Sequence, residues 1–562
     1  MKRLLYSLPI LFLALFYFYP LAAILRLSFA PQGAIDWAAL RELVGTDYYL
    51  QTLWFTTWQA AVSTLLVLLL ALPGAYVFAR YRFRGKQTLQ TISTLPFVLP
   101  TVVVANAFTA LLGPNGLLNG WLMRWFHLAE PPIQLQFTIW MILLAHVFYN
   151  YSVALRIITT FWQNLGDRLP QAANMLGASP WRAFWTITWP LLRPAVLAAA
   201  LLVFIFCFTS FGVVLILGGP QFATLEVEIY RQAANLFNLP VAAALSLLQI
   251  VFTFVLMALY TRSQANMIRP LTLQSARHTA KPIQNGRDRL IVTVNLGVML
   301  VLLALPLSAL LLRSISGQQG LTLRFYRELF INRQGSLFFV PPGTAVFNSM
   351  TFALVAMSMA VALGLLAALM LTQKPKAGDG KLQTKLQSLI ANSLDPLFML
   401  PLATSAVTLG FGYIITMNKP PLNLRSSLAL VPIAHTLVAT PFVIRSVLPA
   451  MRSIRPSLRE AAAILGANPR QVWWHVEWPL LRRALLVGAV FAFTVSMGEF
   501  GATVFIARPQ TPTLPVAIYR FLGQPGALNY GQALAMSSLL LLVCAVGFVA
   551  IERFRLGTEG EF

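Results

Sequence analysis

Acid is scarce in this sequence. Its 562 residues hold 17 Asp and Glu against 41 Lys and Arg, and charged residues of both signs make up 10% of the chain. A soluble globular domain carries about 25%. A water-facing domain is therefore excluded, and 58% hydrophobic residues with a mean hydropathy of +0.71 place the chain in a membrane. Cysteine is nearly absent as well. Cys207 and Cys544 both fall in apolar runs, which excludes a disulfide framework or a metal-ligand spacing and leaves two small buried hydrophobes. Ten-residue stretches of alternating hydrophobicity are missing, so helices rather than an outer-membrane barrel must satisfy the backbone. There is no G-x-x-x-x-G-K-S/T loop, so the chain has no phosphate cradle of its own, and ISGQQG at 315–320 has no nucleotide-site context. No nucleophile–base or metal constellation supports an integral membrane enzyme, and no cofactor is expected.

What is present is apolar sequence in long runs. They predict an all-α integral membrane protein with spans near 5–28, 52–78, 89–113, 135–157, 191–217 and 241–261, then 289–313, 346–372, 388–415, 427–449, 480–506 and 532–552. The N-terminal run resembles a signal peptide but continues without a small-residue cleavage site, and reads as an uncleaved first span. The net charge of +24 follows the positive-inside rule rather than nucleic-acid binding, since no basic stretch is interleaved with exposed aromatics. Arg80, Arg82, Arg84 and Lys86 follow the second span, Arg156, Arg168, Arg182 and Arg193 the fourth. Lys374, Lys376, Lys381 and Lys385 follow the eighth, and Arg445, Arg452, Arg455 and Arg459 the tenth. Those loops, and both termini, are expected in the cytoplasm.

The polar stretch 262–288 divides the chain into a first repeat, 1–261, and a second, 289–562. At an offset of 289 the two match without gaps from His146/His435 to Arg231/Arg520, and from Gln171 to Arg231 about 40% of positions agree. TLEVEIYR returns as TLPVAIYR. Six spans per repeat is an even number, so the repeats are predicted to be parallel and to show the same compartment the same loops.

Another stretch that returns is QAANMLGASPW at 171, as EAAAILGANPR at 460. Ala-rich sequence predicts a short helix, and Gly177 or Gly466 ends it. Ser179-Pro180 or Asn468-Pro469 starts another by a side-chain cap and Pro at the first helical position. That second helix should run about three turns to Pro190 or Pro479, which can open the next span. The pattern E-A-A, three residues, G, nine residues, a hydrophobic residue and, after two more, Pro is met by Glu460, Ala461, Ala462, Gly466, Val476 and Pro479. It is met again by Gln171, Ala172, Ala173, Gly177, Ile187 and Pro190. It resembles the signature of membrane subunits of ABC importers, and the resemblance spans nearly the whole chain. It implies a type I importer-like fold with two fused permease cores, about 52–261 and 343–552. It also implies two cytoplasmic ATPase subunits docked on the elbows and a periplasmic or surface substrate-binding protein. LLAHVFYN, SFGVVLILGGPQ and SMGEFGATVFIARPQTPTLPVAIYR make the chain most similar to the ferric-iron and thiamine importers. One departure stands out: Gln171 replaces the acid of the pattern, so the first elbow lacks the charge of the second.

Candidates for the translocation pathway follow from rare polarity and special residues inside spans. Glu499, whose counterpart is Ser210, either faces a passage for a small cationic substrate or bonds to a neighbouring helix. Phe211 and Phe500 flank these positions. His146 and His435 are matched; a pair alone supplies too few ligands for a metal site, which leaves helix–helix hydrogen bonding. Pro100 and Pro401 are expected to kink spans three and nine, for a gate or for packing. A self-contained ion-coupled transporter with two six-helix halves is the alternative to an ATP-driven importer.

Overall fold

Helix forms almost every element of the chain, in a computed structural model that describes residues 2–31, 33–166, 168–265, 281–317, 320–331, 341–372, 394–402, 404–418, 420 and 422–556. Among the described residues, eleven helices are long and apolar enough to cross a bilayer, from Ser7–Phe29 to Ala527–Ala550. A twelfth span forms if Leu394–Leu402 and Ala406–Thr416, which meet at a sharp bend, are taken together. Lys374, Lys376, Lys381, Lys385 and most of the stretch 262–288 lie outside the described residues.

The third span differs from the expected 89–113. Lys86–Val98 is one helix and Thr101–Leu112 another, and the candidate span is Thr101–Phe126. Pro100 does not kink a helix but separates two. Leu99, the residue before it, is pushed to an extended conformation (φ −73°, ψ 140°), and Pro100 itself has ψ 141°, so the helical run must restart. Pro401 likewise stands in the last turn of Leu394–Leu402, ahead of the bend, with Ser405 capping the helix that follows.

Pro190 and Pro479 do the opposite of what their place in the sequence suggests. The helix runs through them, unbroken over Pro180–Phe208 and Pro469–Gly498. Each proline lies two residues beyond a five-residue π-helical turn, Phe184–Thr188 or Trp473–Glu477. Pro20 repeats the arrangement after Ala14–Phe18. A proline ring clashes with the carbonyl four residues back. The wider turn, closed by bonds such as Trp189 N–H to Phe184 O, relieves that clash without ending the helix.

Two compact units result, and neither is a contiguous half. One comprises Met1–Leu40, Ile229–Leu247 and Leu321–Phe562; the other comprises Arg41–Glu228 and Leu248–Gly320. In the first, the initial span packs with helices of the second repeat. The Tyr17 and Thr404 hydroxyls share a hydrogen bond of 2.6 Å, and Tyr413 donates to Phe16 O at 2.9 Å. Gly412 lies so close to Pro20 that a Cβ there would stand 2.9 Å from it. In the other unit, the seventh span, Gly286–Ser314, packs with helices of the first repeat. Tyr81 donates to Asp288 at 2.9 Å, and burial together with that carboxylate holds the phenol well above its usual range, so it remains a donor. A two-residue parallel pairing of Tyr81–Arg82 with Lys281–Pro282 continues the contact.

Candidate functional site: paired elbows and paired helix breaks

The repeated sentence folds as the same elbow twice. Its first arm is Arg168–Met175 or Pro456–Ile464. Gly177 (φ +88°) and Gly466 (φ +83°) end it in the left-handed region, with open space where a Cβ would stand, so backbone conformation alone demands glycine. The N–H of Ala178 bonds Ala173 O at 3.0 Å and that of Gly177 bonds Asn174 O at 3.1 Å. Ala467 to Ala462 (3.0 Å) and Gly466 to Ala463 (3.0 Å) repeat it. This is the Schellman closure, in which the C3 carbonyl and the C′ glycine are four residues apart. The spacing from the last Ala of the pattern to its Gly is thus the spacing of a helix terminator.

The second arm then starts at a cap. Ser179 Oγ accepts from Arg182 N at 3.3 Å. Asn468 accepts from Gln471 N at 2.9 Å, while Gln471 accepts from Asn468 N at 2.8 Å, a complete capping box. Pro180 and Pro469 hold the first helical position. Gln171, Ala172, Glu460 and Ala461 are exposed on the first arm, with Ala173 and Ala462 half-buried.

Four residues that composition did not single out are the most exposed apolar side chains of the elbows. Met175 and Leu176 are 90% and 89% exposed, and Ile464 and Leu465 are 86% and 87% exposed. The signal was present in the sequence as an apolar pair immediately before the terminating Gly, in a segment too polar to be a span. The elbows also differ by more than Gln171. Arg459 Nε stands 2.5 Å from Glu477 Oε1 and ties the first arm to the π turn, beside a cavity of about 610 Å³ lined by Leu369, Ala463 and Trp473. The first repeat has Pro170 and Thr188 at these positions and no such pair.

A second matched feature lies at the far end of the same long helices. After Phe208 the chain breaks at Thr209–Phe211 before the short helix Gly212–Leu217. After Gly498 it breaks at Glu499–Ala502 before Thr503–Ile506. A buried histidine fastens each break. His146 bridges Ser63 Oγ (2.9 Å, Nδ1) and Ser210 Oγ (2.8 Å, Nε2). His435 bridges Ser496 Oγ (2.7 Å, Nδ1) and Thr503 Oγ1 (2.8 Å, Nε2). Glu499 is buried; its carboxylate accepts from Ala502 N at 2.7 Å, from Thr503 N at 3.0 Å and from the Thr503 hydroxyl, and lies 3.4 Å from His435 Nε2. Phe211 and Phe500 are buried, and Phe500 meets Tyr519 edge-on at 5.4 Å. Tyr230, the counterpart of Tyr519 in the repeat, meets Phe505 at 5.3 Å. Pro100 and Pro401 each stand at a helix end, and the helix that follows Pro401 lies against the second break, where a Cβ on Gly501 would come within 3.0 Å of Ala406.

The next helix of each repeat, Leu225–Tyr230 or Leu514–Leu522, is held in the same way: Leu225 N bonds Thr56 Oγ1 at 3.0 Å and Leu514 N bonds Ser349 Oγ at 2.6 Å. Two carboxylates of that helix were not singled out from the sequence. Glu226 and Glu228 are buried; Gln249 donates to Glu226, and Tyr48 donates to Glu228 at 2.7 Å. Pro515 and Ala517 replace them in the second repeat.

Comparison with known proteins matches residues 68–269 and 384–556 to the model of the binding-protein-dependent transport system inner membrane component, so both elbows and both breaks fall within it. The thiamine transport system permease protein ThiP of Haemophilus influenzae is 29% identical over 97% of this chain and 94% of its own. That of Escherichia coli is 29% identical over 95% and 93%. A chain of a solved bacterial ABC transporter involved in the import of the acidic polysaccharide alginate overlaps 48% of this chain and 97% of its own. Its TM-score of 0.39 at 18% identity is too low to bear on the fold. With two domains of the family covering most of its length, the chain belongs to the inner membrane components of binding-protein-dependent transport systems.

Proposed function

We propose that this chain is the translocation pathway of an ABC importer for thiamine, worked by two cytoplasmic ATPase subunits that dock on the two elbows. The observation that carries the reading is the paired exposure of Met175 and Leu176, and of Ile464 and Leu465, at the end of a short helix outside any span. Large apolar side chains that stand in water on a rigid terminator are what a groove on a partner takes up in helix-in-groove recognition. The basic residues around both elbows support a cytoplasmic position for them and for both termini. Thiamine is taken from the names of full-length relatives, and a cationic cargo suits the two buried acids, Glu226 and Glu228, on the helix Leu225–Tyr230. The paired breaks, with Glu499, Ser210, Phe211 and Phe500, are the proposed lining.

The test is co-purification with the ATPase subunit, joined to uptake of labelled thiamine. Leu176→Asp together with Leu465→Asp is expected to weaken the complex at least about tenfold, the loss of a buried apolar anchor at each site. Uptake should be abolished with the chain still inserted. A variant that binds and transports normally removes the elbows from the reading. Uptake that persists without any ATPase, driven by a proton gradient, replaces it with the ion-coupled alternative.

A further inference from the structure

Each long helix above an elbow carries a stripe that transport does not account for. At positions i, i+4, i+8 and i+12 it reads Trp181, Trp185, Trp189, Arg193 in the first repeat and Arg470, Trp474, Trp478, Arg482 in the second. Trp181 is 71% exposed and Trp474 51%; Trp185 and the three arginines are exposed, and Trp189 and Trp478 are half-buried. Neighbouring rings touch edge-on: Trp181–Trp185 and Trp185–Trp189 at 5.6 Å, Trp474–Trp478 at 5.5 Å.

The π turns align the stripe. An α helix holds 3.6 residues per turn and a π turn about 4.4. Twelve residues of plain α helix drift about 120° in azimuth, whereas with five of them in a π turn the drift falls to about 30°. Both repeats place the five-residue turn within the stripe, at 184–188 and 473–477. No acid among the described residues forms an ion pair with Arg193 or Arg482. Beyond Arg193 the helix has no charge up to its end at Phe208, and beyond Arg483 none before Glu499. The stripe therefore sits where polar elbow gives way to hydrocarbon.

We propose that each stripe binds an anionic phospholipid, with its phosphate on Arg193 or Arg482 and its glycerol–acyl junction against the tryptophans. Tryptophan favours that depth of the bilayer, and a guanidinium takes a phosphate in a two-point grip. Arg193 lies about 18 Å along the helix from Trp181, out of reach of a partner seated on the elbow. Because the helix is unbroken from Pro180 to Phe208, a lipid held on its stripe also holds the elbow's second arm.

The test uses the full chain in nanodiscs of phosphatidylcholine mixed with phosphatidylglycerol, with bromine on the acyl chains of one lipid at a time. Tryptophan fluorescence should be quenched more by brominated phosphatidylglycerol than by brominated phosphatidylcholine at equal mole fraction. The preference should fall about fivefold at the stripe whose arginine is replaced, in Arg193→Gln and in Arg482→Gln. Trp185→Phe with Trp474→Phe should remove most of the difference, and an unchanged melting temperature shows the fold intact. Equal quenching by the two lipids overturns the proposal, as does a preference that survives the double arginine variant. So does protection of the same tryptophans from aqueous iodide by the ATPase subunit in lipid-free detergent, which assigns the stripe to a protein. None of these readings depends on whether the cargo is thiamine.

Discussion

Ser210 and Glu499 occupy one position of the repeat and differ by a full charge, yet both serve a histidine-fastened helix break. A buried carboxylate is tolerated only where donors surround it. Glu499 has two backbone N–H groups and a hydroxyl, all from the turn that it starts. Glu499→Gln keeps the volume but turns an NH₂ toward groups that are themselves donors. The expected cost is about 1–3 kcal/mol, read as a lower melting temperature. If the residue also lines the path of a cationic cargo, the KM for uptake of that cargo rises at unchanged membrane content. A lowered melting temperature with unchanged KM assigns Glu499 to structure alone. At this scale the sequence was legible where a residue type is rare for its surroundings. A lone acid in SMGEFG and a repeated His draw the eye, but their hydrogen-bond partners do not. Met175, Leu176, Ile464 and Leu465 were hidden for the converse reason. In a chain this apolar, only folding shows which leucines are left in water.

Among elements, the elbows were legible to the residue, because a left-handed Gly, a capping side chain and a Pro at the first helical position are local chemistry. The long helices above them were legible as spans but not in their continuity. Hydropathy windows weigh composition and say nothing of register. They cannot tell the break at Pro100 from the π turns that carry the helix through Pro190 and Pro479. This distinction has a consequence at Pro479. Without the ring, nothing opposes contraction of Trp473–Glu477 to α geometry, and that change rotates everything before it by about 90° relative to the span. The rotation would pull Glu477 from Arg459 and turn Ile464 and Leu465 away from their present direction. Pro479→Ala is therefore expected to leave insertion intact while lowering the number of cargo molecules taken up per ATP hydrolysed several-fold. Counting both in the same proteoliposomes checks it. An unchanged ratio means that the π turn persists without its proline or that elbow direction is irrelevant to coupling. The sensitivity of Glu477 to removal of Arg459 separates these two, since the ion pair reports whether the turn has kept its shape.

For the whole molecule, the repeat was plain in the sequence, but the compact units were not. Internal similarity reports descent from one unit, and a duplicated unit need not remain the folding unit. Here the first span belongs with Leu321–Phe562, and Leu248–Gly320, with the seventh span, belongs with Arg41–Glu228. Nothing in a hydrophobic run says which neighbours it chooses, since lipid-facing and helix-facing leucines read alike. Contacts such as Tyr17 with Thr404 and Tyr81 with Asp288 join residues 387 and 207 positions apart. The exchange predicts how the chain responds to being cut. Scission within 262–288 yields two polypeptides, each of which holds pieces of both compact units. Separating them then requires both units to be torn open, with the Tyr17 and Tyr81 hydrogen bonds broken and the Gly412–Pro20 approach lost. Two fragments co-expressed from such a split should purify as one complex in mild detergent. A second-repeat fragment expressed alone should be degraded or aggregate, for want of the first span. Rescue by a separate peptide of residues 1–40 is expected to be partial, because Ile229–Leu247 is still missing from the same unit. If instead each fragment purifies alone with native helical content and a cooperative melting transition, the two repeats are independent folding bodies, and the exchanged spans contribute little to holding either together.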